Sequence, residues 1–158
     1  LEHVERVILQ VRLNEGEKFT LNGLTVTPIK MSVGYVYAFL LTEGATNILL
    51  VVDELFDWTP PPNLPPIDVL ILPVSLFEFD PFSGKRIIPE HHPVLEVEST
   101  FEDSLEFIRQ LKPKRTILSH IEEPFGFDHD EYLRLSQELA VEQPDLGPVS
   151  FVYDMQLV

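Results

Sequence analysis

The chain has 158 residues, no cysteine and a formal net charge of −15 at pH 7. The length fits one domain with a core of its own, and the charge argues against a nucleic-acid surface, because phosphate contacts need clustered cations and the eleven Lys and Arg are scattered. Without Cys there are no disulfides, no thiol catalysis and no thiolate metal sites, so any metal must be held by His, Asp or Glu.

No apolar run reaches membrane-spanning length, and the first residues lack a basic-then-apolar signal pattern. A cytoplasmic protein without a membrane partner is therefore expected. An acidic surface does not exclude a phosphate ester as substrate, since bound metal ions can supply positive charge locally.

In chain order, Val7 to Leu13 has strand composition, and Asn14 to Glu17 is a turn leading into Lys18 to Leu21. Asn22-Gly23 is a strong hairpin signal, as both residues accept the positive φ of a tight turn. Leu24 to Ile29 is the other arm. Tyr35 to Leu41 and Asn47 to Val52 are two further strands joined at Thr42 to Thr46, so the first third of the chain reads as an antiparallel meander.

In the last of these, Ile48 to Val52 is apolar without a break and runs straight into Asp53. A strand apolar on both faces is buried between layers, and a carboxylate where it leaves the core stands where layered α/β proteins collect reactive groups. Asp53 is thus the first site candidate. The competing reading makes it the N-cap of a turn beginning at Glu54-Leu55-Phe56, which spacing alone favours.

Five prolines between Pro60 and Pro66 forbid helix and ladder alike, and predict an ordered surface crossing into the strand Val69 to Leu72. Ser75 to Pro93 reads as a long irregular loop carrying Phe77, Phe79 and Phe82. Ser99 and Glu102 have the spacing of a capping box for a helix over Phe101 to Leu111, with Leu105, Ile108 and Leu111 as its apolar stripe.

Arg115 to His120 is a short strand that delivers a histidine to its end, as the earlier one delivers Asp53. The bland alternative for His120 is an imidazole at the core edge, bonded to a backbone carbonyl. Asp128 to Leu139 reads as a helix packing through Leu133, Leu135 and Leu139, with His129 in its exposed first turn, and Val149 to Asp154 as a closing strand.

Together these features resemble a known family. A buried strand ending in Asp53, the unit LEFIRQLKPKRTILSH ending in His120, and a closing Tyr153-Asp154-x-x-Leu157 look like the later half of a metallo-β-lactamase-fold hydrolase, over residues 19–158. The branch resembled includes phosphonate-pathway phosphodiesterases and ribonuclease-Z-like enzymes. The resemblance implies an α/β fold, an αββα sandwich with a dinuclear metal site at one edge, of which residues 1–158 form a single, C-terminal portion. It implies Asp53 as the carboxylate bridging two metal ions and His120 as a histidine ligand of one of them. The cofactor would be a divalent metal, zinc, manganese or iron, which lowers the pKa of a bridging water in phosphoester hydrolysis.

The chain also departs from that pattern. The family's His-x-His-x-Asp-His motif is absent, and Ser32 or Val33 stands where a further histidine would follow the strand Leu24 to Ile29. His91 and His92 lie in a different segment, and adjacent side chains diverge. Two ligands predict weak metal binding by this chain alone. Only one of the two sheets, with a piece of the other, is accounted for, so an apolar sheet face is expected to need a complementary N-terminal segment or a homo-oligomer. A metal-dependent phosphoester hydrolase acting on a small molecule is one expectation. A non-catalytic binding or assembly module on the same scaffold is the other.

Overall fold

The computed structural model describes residues 17–121 and 125–152. The expected strand at Val7 to Leu13 and the closing Tyr153-Asp154 lie outside these residues. All the described strands belong to one seven-stranded sheet whose spatial order is the chain order. β1 (Phe19–Leu21), β2 (Leu24–Lys30), β3 (Tyr37–Glu43) and β4 (Thr46–Val51) form the expected antiparallel meander. β5 (Val69–Pro73), β6 (Arg115–Ser119) and β7 (Val149–Phe151) continue it in parallel. Asn22 and Gly23 turn the first hairpin with φ of 51° and 90°, the positive values that only such residues accept readily. β3 starts two residues later than expected, because Met31 and Val36 exchange a backbone bond that makes 31–36 a turn and leaves Tyr35 85% exposed.

Parallel strands need crossovers. The first is the proline-rich segment, which is ordered because Trp58 stacks on Phe107 with centroids 5.1 Å apart and Leu64 packs on the core. The others carry α1 (Phe101–Leu111) and α2 (His129–Glu142). Asp68 pins the start of this parallel part, its carboxylate accepting the Asn47 N–H at 2.8 Å and pairing with Lys114 at 2.6 Å.

Three local expectations change. The capping box of α1 is Thr100 with Asp103, one residue later than Ser99 with Glu102, because the Ser99 hydroxyl is engaged by Glu54. On α2 the buried residues are Tyr132, Leu135 and Leu139, while Leu133 is 50% exposed. Positions 132, 135 and 139 share one helical face, and 133 falls about 100° away. The loop from Ser75 to Pro93 is anchored at its start: Phe77 is 1% exposed and meets Phe101, Phe125 and Phe127 at 4.7–5.3 Å, while Phe79, which bridges to Arg86, and most of the residues after it are exposed.

The sheet therefore has unequal faces. Leu49, Val51, Leu70, Leu72 and Leu118 point toward the helices and join one core with Leu105, Ile108, Leu135 and Leu139. Cross-strand partners share a face, so Phe39, Leu50, Ile71 and Ile117 form a row on the opposite side. Ile117 is buried at 5% exposure, while Phe39, Leu50 and Ile71 are half-buried and lie outside the core cluster. Among the described residues there is one sheet only, without a piece of a second.

Candidate functional site

The site is built where the parallel strands end. β4 stops at Val51, and the chain turns sharply at Glu54, whose carboxylate accepts the Leu55 and Phe56 N–H groups at 2.5 and 2.7 Å. Glu54, not Asp53, thus caps the turn, and the reading of Asp53 as its cap is corrected. The Asp53 side chain remains 57% exposed, with no local amide to satisfy it.

β6 stops at Ser119 because His120 takes a left-handed backbone conformation with φ of 53°. That conformation is uncommon for a side chain with a Cβ, although histidine enters it more readily than most. Its Nε2 stands 4.0 Å from Asp53 Oδ1. The two strands are not adjacent, since β5 runs between them. Their side chains meet beyond the end of β5, above Ser75, which is also left-handed with φ of 64°. Strands in a sheet lie about 4.8 Å apart, so only side chains reaching inward from both flanks can close the gap.

Asp53 and His120 line a cavity of about 260 Å³ with Glu54, Ser75, Ser99 and Val33. At 4.0 Å the pair is too far apart for a direct hydrogen bond. Tetrahedral zinc holds imidazole nitrogen and carboxylate oxygen at about 2.0–2.2 Å each, which sets two donors on one ion about 3.4 Å apart. The pair has the donor types of part of a metal site, at a spacing that a shared ion would have to draw in. It is not a whole one, for among the described residues no group of three or more His, Asp or Glu is placed to hold a metal.

The other candidates lie elsewhere. Ser32 gives its hydroxyl to the Asp57 carbonyl at 2.6 Å, and Val33 presents an apolar wall to the cavity. His92 accepts the Val94 N–H through Nδ1 and so caps the short 3₁₀ turn Pro93–Glu96, beside an exposed His91. His129 sits in the first turn of α2 near Asp130. A larger groove of about 390 Å³ between α1 and α2 is lined by Leu105, Leu135, Leu139 and several glutamates, without a histidine.

Glu54, Ser75 and Ser99 were not site candidates in the sequence. Glu54 carried one signal, its place directly after the strand-ending Asp53. The serines carried none, since their partners are 29 or more residues away.

No family model and no curated protein matches the chain by sequence. Solved structures do match. The metallo-β-lactamase fold protein YhfI from Bacillus subtilis superposes with a TM-score of 0.56 at 18% identity, over 90% of this chain and 52% of that one. A diphosphatase from the PhnP family gives 0.55 at 19% identity, over 94% and 49%. CmlA, a diiron β-hydroxylase from Streptomyces venezuelae, gives 0.54 at 13%, over 90% and 33%. The chain has part of the metallo-β-lactamase fold and spans about half or less of the length of these matched structures.

Proposed function

We propose that this chain carries one side of the active site of a metal-dependent hydrolase, with Asp53 and His120 as two of its metal ligands and phosphoester bonds as its substrate class. The observation that carries the reading is the convergence of these two side chains, 67 positions apart in the chain, to 4.0 Å at the mouth of one cavity. The likeness to a diphosphatase of the PhnP family supports the phosphoester class. A bound divalent metal, zinc being the first choice for this donor pair, would supply Lewis acidity and an activated water near neutral pH. This chain's part is to present the imidazole and the carboxylate together at one cavity.

The remaining ligands come from a complementary partner. The half-buried apolar row through Phe39, Leu50 and Ile71 is the surface it would cover, either as a preceding segment of the same polypeptide or as a second copy. Hydrolysis of bis(p-nitrophenyl) phosphate by the full-length protein, with zinc, manganese or iron added, tests the reading. Turnover that Asp53→Ala abolishes without unfolding supports it. Metal-dependent turnover that survives Asp53→Ala removes the assignment of that residue.

A second reading, a non-catalytic binding or assembly module, is favoured by one observation. Ser32 is committed to the Asp57 carbonyl and Val33 offers no donor, so that wall of the cavity carries no ligand. No turnover by the full-length protein with any of the three metals would favour the module.

A further inference from the structure

We infer that Glu54 is a positioning residue that, through Ser99, sets the spacing of Asp53 and His120. The inference rests on the metal-site reading above for its consequence, and on hydrogen bonds alone for its geometry. One oxygen of Glu54 accepts four donors: the Leu55 and Phe56 amides of its own turn, and the Ser99 N–H at 3.2 Å and hydroxyl at 2.7 Å. The last two cross 45 positions of sequence, and Ser99 is 3% exposed. A buried hydroxyl without an acceptor is destabilising, so the bond to Glu54 holds Ser99 in place.

Ser99 is in turn fixed to the rest of the rim. Its carbonyl accepts the Leu76 N–H at 3.0 Å, and the Leu76 carbonyl accepts the Phe101 N–H at 2.7 Å. One turn into α1, the Ser104 hydroxyl reaches the Pro73 carbonyl at 3.1 Å and the Ser75 hydroxyl at 2.9 Å. Val74 N–H then donates to the Ser119 carbonyl at 2.8 Å, directly before His120. A continuous path of hydrogen bonds thus runs from the residue after Asp53, by way of the α1 N-terminus and the end of β5, to the residue before His120. Asp53 has no such anchor on its own side chain, so its position is inherited from Glu54. The free second oxygen of Glu54 faces no hydrogen-bond partner among the described residues, which leaves Glu54 a clamp whose bonds are all made through one atom.

Three variants of the full-length protein test this: Glu54→Ala, Glu54→Gln and Ser99→Ala. Crystal structures give the Asp53–His120 separation, and competition with a chromophoric chelator gives zinc affinity. Glu54→Ala is expected to widen the 4.0 Å separation and to weaken zinc about 10–100-fold, the usual effect of losing a group that orients a ligand. Glu54→Gln keeps an acceptor oxygen and is expected to restore both. Ser99→Ala leaves the local turn intact and is expected to widen the separation, which decides the matter if Glu54→Ala does not fold. An unchanged separation with wild-type zinc affinity in Glu54→Ala overturns the inference, and so does an equal loss in the Ala and Gln variants, which would assign the effect to charge. If the wild-type protein binds no zinc, the metal-site reading fails, and the separations alone decide whether Glu54 is the clamp.

Discussion

Asp53 and Glu54 are neighbouring carboxylates with opposite fates, one left open to a cavity and the other holding four donors on one oxygen. The difference follows from direction alone. Beyond the last strand residue, alternate side chains diverge, so only one of the two can fold back over its own turn. The sequence shows two acids but not which of them does so, because the deciding partner, Ser99, lies 45 positions on. His120 was legible for a simpler reason, as it directly follows an apolar strand and strand ends form the rim of such a sheet. Its left-handed backbone makes a clean substitution available. Asn enters that conformation readily, so His120→Asn should leave chemical-denaturation stability within about 0.5 kcal/mol of wild type. In the full-length protein it should weaken zinc by more than about tenfold. Unchanged zinc affinity, measured by chelator competition, would remove His120 from the site.

At the scale of elements, both helices start with reciprocal capping boxes, Thr100 with Asp103 and Asp128 with Glu131. Thr100→Ala removes one partner of the first, and a loss of about 0.5–2 kcal/mol in urea unfolding is expected. Because α1 also carries Ser104 against Pro73 and Ser75, fraying there would loosen the site rim before the distant hairpin of β1 and β2. Helix α2 carries a pH signature. Burial of Tyr132 against Phe127 and Phe151, helped by the negative charge of Glu131, pushes its phenol up to about 12. The folded state therefore keeps a proton that the unfolded chain gives up near the ordinary tyrosine value of about 10. Its contribution to stability is complete below about pH 10 and is lost as the pH rises toward 12. Absorbance at the tyrosinate band should show one phenol ionising close to 12, a step that Tyr132→Phe removes. The helices themselves were readable from period and caps. The one-residue shift of the first box and the choice of Tyr132 over Leu133 were not, because both depend on what faces the element across the core.

At the scale of the molecule, the helices cover one face of the sheet, and on the other face Phe39, Leu50 and Ile71 are only half-buried. Purified alone, the chain should bind a hydrophobic dye and self-associate at micromolar concentration, since apolar surfaces beyond a few hundred Å² rarely stay single in water. Replacing Phe39 and Ile71 by Lys should make it monomeric in sedimentation while far-ultraviolet dichroism is kept, because neither residue belongs to the core cluster. A wild-type chain that is monomeric and dye-silent would show that the face is already covered. The alternation of the meander and the buried character of β4 and β5 were visible in the sequence. That all of them fall into one sheet was not, because pairing partners are a property of the whole and the apolar runs are alike on both faces.

The coincidence of chain order and spatial order gives the sheet a direction in time. Each strand, as it is synthesised, finds its neighbour already present, so the layer can grow from β1 toward β7 without waiting for a later segment to be threaded between earlier ones. The site has no such continuity. Asp53 leaves the ribosome 67 residues ahead of His120, roughly 3–13 s at ordinary synthesis rates of about 5–20 residues per second. Through that interval β5 joins β4, but the acidic half of the site waits for its histidine, which arrives only with β6.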